Sequence, residues 1–415
     1  MPHINIKKGH NIRISGKPAD DVIDLNYSET VALLPTDFKG VKPKVMIKEG
    51  EEVKIGSPLF FDKKNPDIKW ASPASGKIKN ITFGPRRVLQ KIEISSSKTP
   101  DYIEYKKYKK SEIINLKREE VLTTILDANI FPMFRQRPFN IIPDPQIIPR
   151  DIFVSAINTA PHSVDLESVI EKNIEKFQAG IDALNALSTG RVYLTSKSGS
   201  VVSSIENTEF YTISGLHPAG NIGIQIHHIA HIRPGDIIWA INAQDVIAIG
   251  NLFQNGIYDS NRVITLAGPC VQQPGHFRVS TGAQISSIIG KQLTEDEPRI
   301  ISGDVLTGRV SGLDDYLSFY DYSINVISDN IKREFVGMFY PGSSKTRYSL
   351  TPVFLSLGKI LFPFNAAQNG NHRAVVPINA WERVLPMDIL PNELYRSILA
   401  EDIEEMEKLG LIECD

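Results

Sequence analysis

Residues 44–60 read KVMIKEGEEVKIGSPLF: a short alternating segment, a turn at Glu49-Gly50, and a second short segment opened by Gly56. A related pattern follows at residues 70–81, WASPASGKIKNI, where short apolar alternation surrounds a proline and a glycine. Short strands at this spacing, separated by Gly and Pro, predict a compact all-β unit.

This pattern resembles the biotinyl/lipoyl barrel-sandwich fold, in which a similar turn carries a modified lysine. The equivalent lysine would be Lys63 or Lys64, in the sequence FDKKNP at residues 61–66. The Met-Lys-Met context of biotin carriers is missing there, and two lysines beside Asn-Pro are typical of a solvated turn. We therefore expect the fold without the carrier chemistry.

The composition of the 415 residues is that of an ordinary globular protein, with 41% hydrophobic and 23% charged residues. Its 46 Lys and Arg against 48 Asp and Glu give a net charge of −2, which excludes a chain-wide electrostatic grip on nucleic acid. No apolar run approaches the length of a membrane span, and the first residues lack a secretory signal. With only Cys270 and Cys414, the chain can build neither a disulfide framework nor an iron–sulfur cluster, so we expect reduced thiols in a cytoplasmic protein.

The middle of the chain alternates between strand and helix patterns. Residues 151–156 and 191–194 are apolar strand runs, and residues 164–189 between them have helical periodicity. This alternation predicts a parallel sheet. No G-x-G-x-x-G opens any of the helices, so we expect a Rossmann-like topology without the nucleotide fingerprint.

Two further regions complete the predicted multidomain α/β architecture. Residues 262–330 run strand, turn, strand, helix, strand and Gly-rich turn, which suggests a β-grasp module of the soluble ligand-binding type. Residues 391–410 have the pattern of one amphipathic helix that begins at Pro391 and ends at Gly410. We predict a barrel-sandwich domain at 1–100, a Rossmann-like α/β domain at 101–258, a β-grasp domain at 259–330 and a helical C-terminal region at 331–415.

A histidine cluster, His227, His228 and His231, invites a metal interpretation. The isoleucines at 222, 224 and 226 alternate with strand period, however, and histidines on a strand diverge. No H-E-x-x-H motif is present. We therefore expect no metal site and a structural or interface role for these imidazoles.

Two loops have compositions suited to a ligand. In HPAGN, residues 217–221, backbone amides and the His217 imidazole can face a ligand, or the loop can simply turn the chain. In IFPMFRQRPF, residues 130–139, aromatic rings and arginines suit a flat apolar molecule with a carbonyl or an anion. The alternative for this aromatic-basic segment is a loop packed under its own aromatic side chains.

Several blocks resemble the A subunit of the bacterial sodium-translocating NADH:quinone reductase (Na⁺-NQR), and the resemblance covers essentially the whole chain. The blocks are FPMFRQRPFNIIP at 131–143, FQAGIDAL at 177–184, HPAGNIG at 217–223, IHH at 226–228 and VLPMDILP at 384–391. That fold is similar to the NADH-binding flavoprotein subunit of complex I and to the matching subunit of Rnf complexes.

The resemblance implies a peripheral subunit on the cytoplasmic side of the bacterial inner membrane, in a six-subunit complex that passes electrons from NADH to ubiquinone and exports Na⁺. NADH, FAD, FMN, riboflavin and iron–sulfur centres would lie on other subunits, and this chain would hold no cofactor of its own. It would contribute to ubiquinone binding without being catalytic in isolation.

The departures from the complex I relative fit that expectation. The aromatic-basic segment stands where the relative has its glycine-rich FMN loop, and two cysteines are too few for its iron–sulfur cluster. Family members also usually continue into a Cys-containing tail, so we expect that the chain ending at Asp415 is trimmed.

The leading hypothesis is a quinone site on this chain, with no catalytic residue and no metal. Rings from the aromatic-basic segment would form the slot, its arginines would donate to a carbonyl, and an imidazole would deliver a proton. The residues concerned are Phe131, Phe134, Phe139, Arg135, Arg137 and His217. The rival is a purely structural docking role, since aromatics and Arg are also typical of interface hot spots.

Overall fold

A computed structural model describes residues 2–25, 28–295, 297–329, 360–367 and 379–414. The strands are β1 (His3–Ile6), β2 (Val22–Asp24), β3 (Thr30–Leu33), β4 (Pro43–Val45), β5 (Glu52–Val53), β6 (Pro58–Asp62), β7 (Lys69–Ala71), β8 (Gly76–Phe83), β9 (Leu89–Ser96), β10 (Arg135–Arg137), β11 (Asp151–Ser155), β12 (Val192–Ser196), β13 (Glu209–Gly215), β14 (Ile238–Asn242), β15 (Asn261–Ala267), β16 (Gly275–Ser280), β17 (Pro298–Ser302), β18 (Arg309–Ser311) and β19 (Ser323–Ser328). The helices are α1 (Lys110–Ile113), α2 (Arg118–Asp127), α3 (Leu166–Glu171), α4 (Ile174–Asn185), α5 (Ile222–Ala230), α6 (Ala243–Asn255), α7 (Ile285–Ile289), α8 (Pro391–Ala400) and α9 (Ile403–Lys408).

Two small antiparallel sheets form the amino-terminal barrel-sandwich, with strand orders β3-β9-β8-β5 and β4-β6-β7. Phe60 stacks on Trp70 between them, with ring centroids 4.5 Å apart. Gly76 opens β8 where a side chain would collide with the Ser95 carbonyl oxygen, so only glycine fits this close strand approach. The all-β unit predicted from residues 44–81 is confirmed. Lys64 lies in the turn after β6 and donates to the Gly40 carbonyl at 2.7 Å.

The second domain is an α/β unit around a sheet of order β1-β13-β12-β11-β14-β10. The strands β1, β13, β12, β11 and β14 are parallel, and β10 adds antiparallel at one edge. Helices α4 and α6 cross so closely that a Cβ at Gly250 would lie 1.7 Å from the Lys176 carbonyl oxygen. The predicted parallel sheet is therefore confirmed, and two glycine-dependent backbone contacts seat its helices, since Gly180 faces α6 in the same way.

The third sheet has the order β18-β17-β19-β15-β16-β2, with α7 against it. Its buried face is almost entirely aliphatic, with Ile264, Leu266, Ile288, Ile324 and Val326 at its centre. The predicted succession of strand, strand, helix and strand is present. The assignment to the β-grasp class stays a prediction.

The first two strands leave the barrel and join the other two sheets. β1 pairs in parallel with β13 of the α/β domain, and β2 pairs in parallel with β16 of the third sheet. The chain start thus ties the three domains together before the barrel begins at β3. No sequence pattern predicted this.

The single helix predicted for residues 391–410 is wrong. The chain breaks between α8 and α9 at Glu401, which has a left-handed backbone with φ of 57°. The Asp402 side chain then accepts the Glu405 amide and caps a new helix. Apolar positions expected on a buried face are open, with Leu399 67% and Ile403 68% exposed. Much of the predicted region 331–415 lies outside the described residues.

Among the described residues, no helix combines the length and the apolar character needed to cross a bilayer.

Candidate functional site

The aromatic-basic segment divides into a buried part and an exposed part. Phe131 and Phe134 flank a short 3-10 helix and have no solvent exposure. Their rings pack against Trp239 of β14, with centroid distances of 5.6 and 5.3 Å. Met133 is buried beside them. Of the two alternatives left by the sequence, packing under its own aromatics holds for this half of the segment.

The other half forms a tight turn that presents Phe139 to solvent. The Gln136 amide donates to the Ile141 carbonyl at 2.7 Å, which closes the turn. Phe139 and Asn140 both have left-handed backbones, with φ of 75° and 51°. The Phe139 side chain is 58% exposed. An exposed ring at the tip of a hydrogen-bonded turn is positioned to contact a ligand or another protein.

Arg135 joins this turn to the third domain. Its guanidinium lies over the Tyr320 ring, 4.0 Å from the centroid, and donates to the Asn140 carbonyl at 3.2 Å. The Tyr320 hydroxyl donates in turn to the Pro132 carbonyl at 2.7 Å. The planar guanidinium is therefore held in one orientation by a ring and a carbonyl, with further N–H groups available.

The barrel-sandwich closes the same junction from the other side. Phe38 lies 5.1 Å from the Phe319 ring and 5.7 Å from the Tyr320 ring. The neighbouring Asp37 carboxylate accepts the Phe319 amide at 2.8 Å and lies 3.4 Å from the Arg309 guanidinium. Burial raises the pKa of Asp37 despite these partners. The three domains thus meet at one aromatic junction, formed by Phe38, Arg135, Phe319 and Tyr320.

Arg137 lies at the buried side of β10 and is 5% exposed. Burial, together with the positive charge of Arg135, lowers its pKa to about 10. A guanidinium with that pKa is still charged at neutral pH, so the segment holds one buried and one half-buried positive charge. The first of these cannot reach solvent without movement of the strand.

His217 lies elsewhere, at the carboxyl end of β13. Between β13 and β10 stand β12, β11 and β14, which places the two edges about 19 Å apart at ordinary strand spacing. The His217 ring contacts the Thr159 hydroxyl at 3.1 Å through Nδ1. That hydroxyl accepts the Gly220 amide at 2.8 Å, so it donates to the imidazole. Burial lowers the pKa of His217. The structure does not bring His217 to the aromatic-basic segment.

The strand predicted through residues 222–226 is wrong: these residues begin helix α5. His227 and His228 both face the C-terminal arm, which we define as residues 379–414. His227 approaches Glu413 at 2.6 Å through Nδ1 and accepts the Asp388 amide through Nε2 at 3.2 Å, while His228 contacts the Pro386 carbonyl at 2.8 Å. These imidazoles have the structural role expected from the sequence. Throughout the described parts of the chain, no group of three His, Cys, Asp or Glu side chains is arranged to hold a metal ion.

Replacing His227 with alanine should loosen the C-terminal arm. Two hydrogen bonds are lost, each with a net contribution of about 1 kcal/mol, so amide protection in residues 385–414 should fall at least about tenfold. Hydrogen exchange with mass spectrometry measures this directly. His231→Ala is the matched control, because His231 is exposed and its side chain makes no contact with the described arm. Equal loss of protection in both variants would contradict the assignment.

The end of the sheet where doubly wound folds bind nucleotides is used for contacts between domains. Topology changes direction between β11 and β14, and ligands of such folds bind at the carboxyl ends of strands at that point. There, Gln244 in the first turn of α6 bonds both backbone groups of Val263 at 2.8 Å. Its neighbour Asp245 accepts the Tyr322 hydroxyl at 2.9 Å. The first turn of α6 thus carries its own carboxylate and binds the third domain.

Neither cysteine has the environment of a reactive thiol. Cys270 is buried in the third domain, and burial raises its pKa to about 11. Burial also raises the pKa of Cys414. Both thiols are therefore protonated at neutral pH.

Sequence reasoning missed the partners of Arg135 in the aromatic junction. Phe38, Phe319 and Tyr320 lie far from it along the chain and belong to other domains. The only signal in the sequence is the adjacent pair Phe319-Tyr320, which does not stand out among the aromatic residues of the chain.

Three family descriptions match successive parts of the chain. They are the NqrA N-terminal barrel-sandwich hybrid domain at residues 4–97, the NqrA second alpha/beta domain at 116–258 and the NQRA C-terminal domain at 263–312.

Curated relatives match over nearly the full length. The A subunit of the Na(+)-translocating NADH-quinone reductase of Pasteurella multocida is 38% identical over 416 residues, covering 99% of this chain and 93% of that protein. The protein of the same name from Neisseria meningitidis is 39% identical over 417 residues, with the same coverage. A solved NAD⁺-reducing [NiFe]-hydrogenase shares 13% identity over 55% of this chain and 52% of its own, with a TM-score of 0.36, a likeness that carries no argument about function.

Proposed function

This chain belongs to the NqrA family, the A subunits of Na(+)-translocating NADH-quinone reductases, and from that premise we propose that it contributes the quinone-contacting surface of such a complex. It works on the cytoplasmic side of the membrane beside the membrane and flavin-bearing subunits. It positions the quinone while electrons reach the quinone from redox centres on those partners.

The observation that carries this proposal is the pairing of Arg135 with Phe139. A quinone is a flat apolar ring with two carbonyl oxygens, and its binding calls for a ring contact and a hydrogen-bond donor. Phe139 offers an open aromatic face, and Arg135 offers a guanidinium already fixed over Tyr320. A charge-assisted hydrogen bond to the carbonyl is stronger than a neutral one and strengthens further as the ring is reduced.

The other predicted residues support this surface from behind. Phe131 and Phe134 form the dry floor under the turn together with Trp239, and the buried charge of Arg137 keeps the surroundings of Arg135 positive. His217 lies across the sheet and is left out of the site. Phe139 projects into solvent, so another protein of the complex closes the slot by covering the other face of the quinone.

Docking without quinone contact is the second candidate, and the same exposed ring favours it. Rings and arginines at the centre of an interface contribute much of its binding free energy. The two functions differ in what a conservative change does. A quinone carbonyl bound by two N–H groups of a guanidinium distinguishes Arg from Lys, whereas an interface that needs only positive charge tolerates lysine.

We expect Arg135→Lys to raise the apparent KM for quinone of the assembled complex about tenfold or more and to leave its assembly intact, since a charged hydrogen bond contributes about 1.5–3 kcal/mol. Phe139→Ala should raise KM in the same direction. Quinone-dependent NADH oxidation gives the KM, and co-purification of the subunits reports assembly.

The matched control for Phe139→Ala is Phe83→Ala, because Phe83 is an equally exposed phenylalanine in another domain. An unchanged KM in both Arg135→Lys and Phe139→Ala would exclude the quinone contact. Loss of assembly in these variants would instead support docking alone.

A further inference from the structure

The β8–β9 hairpin of the barrel-sandwich reaches beyond the sheet to which it belongs. On one side β3 accompanies β9 only from Ser95 to Ile92, and on the other β5 accompanies β8 only at Gly76 and Lys77. The outer pairs, Thr82 with Lys91 and Phe83 with Leu89, have no flanking strand. At the usual rise per residue, the unaccompanied end extends about 10 Å.

The end of this hairpin, residues 83–88, is open to solvent in an unusual composition. Phe83 is 53% exposed and Val88 51% exposed, and Arg86 and Arg87 between them are exposed as well. Just behind them Leu89 is buried in the barrel core. We call residues 83–88 the hairpin tip. It is anchored at its base and apolar at its corners.

Backbone hydrogen bonds hold the hairpin tip in one shape. The Gly84 amide donates to the Val88 carbonyl at 2.8 Å, and the Arg87 amide donates to the Gly84 carbonyl at 3.1 Å. Arg86 and Arg87 both have φ of 56°, a left-handed backbone that is unfavourable for residues with a side chain. Consecutive residues of this kind are kept where the surrounding structure and a use for that geometry retain them.

The hairpin tip carries positive charge without compensation from its surroundings. Within the described residues, neither Arg86 nor Arg87 forms an ion pair. Lys79 on the outer part of β8 is exposed too. The nearest acids are engaged: Glu93 contacts Lys91 at 3.3 Å and accepts the Tyr316 hydroxyl, and Glu49 accepts the Ile81 amide at 2.9 Å.

We propose that the hairpin tip binds the anionic surface of a lipid bilayer. Phe83 and Val88 enter the headgroup region, and the guanidinium groups of Arg86 and Arg87 bind lipid phosphates. Exposed apolar side chains beside basic ones are the chemistry of interfacial membrane contact, in which buried apolar area and electrostatic attraction act together.

The size of the hairpin tip favours a bilayer over a protein partner. A stable protein interface takes about 20–30 residues from each side and a complementary shape. Two apolar side chains and two arginines on a protruding hairpin fall far short of that number. A bilayer needs no shaped recess, and it offers many phosphates to each guanidinium.

This inference rests on the proposed function only in that membership of a sodium-translocating complex brings the chain close to a membrane. It involves none of the residues assigned to the quinone surface. The quinone proposal can therefore fail while the lipid contact stands, and the reverse.

The test is co-sedimentation of the purified chain with vesicles of phosphatidylcholine and phosphatidylglycerol, compared with vesicles of phosphatidylcholine alone. We expect binding to the acidic vesicles that weakens with salt. Arg86→Asn combined with Arg87→Asn should reduce the affinity about 30-fold, because each basic residue near an acidic surface contributes about a factor of five. Asparagine tolerates the left-handed backbone, so this variant preserves the turn.

Two control variants separate the hairpin tip from general charge. Lys7→Asn combined with Lys8→Asn removes a similar pair of exposed basic residues after β1 and should leave the affinity unchanged. Arg86→Lys combined with Arg87→Lys keeps the charge and should retain binding. An equal loss in the Lys7 and Lys8 variant, or no binding to acidic vesicles, would overturn the proposal.

A second readout reports insertion itself. Phe83→Trp, made in a Trp381→Phe background, should show a blue-shifted emission on vesicle addition and quenching by brominated lipids. The remaining Trp70 and Trp239 are buried and should not respond. Vesicle binding without any quenching of the new tryptophan would show that another surface makes the contact, and the proposal would be wrong.

Discussion

Replacing Phe134 with alanine should lower the free energy of unfolding by about 3–5 kcal/mol, the usual cost of truncating a buried phenylalanine. The Phe134 ring has no solvent exposure and fills the space between Phe131 and Trp239, at centroid distances of 5.5 and 5.3 Å. The cavity cannot collapse easily, because β14 and the 3-10 helix at residues 131–133 enclose it. Urea unfolding followed by tryptophan fluorescence measures the change.

Phe139→Ala is the control for that experiment, since it removes the same side chain from an exposed position of the same segment. Its stability should stay within about 0.5 kcal/mol of the parent protein. A small effect at Phe134 would mean that the ring lies in a yielding or open environment, and it would again be a candidate for direct quinone contact. A large effect means that lost quinone turnover in Phe134→Ala reflects a damaged support and not a lost contact.

Much of the local structure could be predicted from the sequence because it follows from short-range rules. The Gly and Pro punctuation at residues 44–81 specifies short strands, and the alternation of strand and helix patterns at 151–196 specifies parallel pairing. The partners of β1 and β2 could not be predicted in this way. A four-residue strand carries no mark of which of three sheets it will join, since that depends on the docking of whole domains.

Helix α5 shows why periodicity alone misled. Its isoleucines at alternate positions are all covered, but by different neighbours: Ile226 packs in a cluster with Phe153, and Ile224 in another with Ile6 and Ala219. A helix enclosed on both faces is apolar all round and loses its 3.6-residue signature. Alternating isoleucines then imitate a strand.

The candidate site was predictable only in part, for a related reason. The unusual composition of residues 130–139 marked the segment, but composition does not distinguish a ring in the core from one in solvent. That distinction comes from Trp239, a partner about one hundred residues away, and from the turn that exposes Phe139. The stacking of Arg135 on Tyr320 requires two domains to be docked and has no local signature.

The second large effect is expected at Gly250, where alanine should destabilise the α/β domain by at least about 3 kcal/mol. Helix propensity alone predicts the opposite, a gain of about 1 kcal/mol for Gly to Ala in a helix interior. The crossing of α4 and α6 decides the sign. A methyl group at Gly250 would lie 1.7 Å from the Lys176 carbonyl oxygen and 2.8 Å from the Gly180 amide nitrogen. These are backbone atoms of a helix and cannot move aside as a side chain can.

Native-state hydrogen exchange of the amides in α4 and α6 measures this local loss of stability without assuming that the three domains unfold together. Gly312→Ala is the control, because a methyl group there meets only the Asp315 carboxylate at an ordinary 3.6 Å. Unchanged exchange in Gly250→Ala would mean that the helices can separate at little cost. Since β14, which carries Trp239, leads directly into α6, a shift of α6 should also disturb the floor beneath the aromatic-basic segment. We therefore expect Gly250→Ala to weaken quinone-dependent turnover from a distance, with a loss that follows the loss of stability, whereas Arg135→Lys should act on quinone without changing stability.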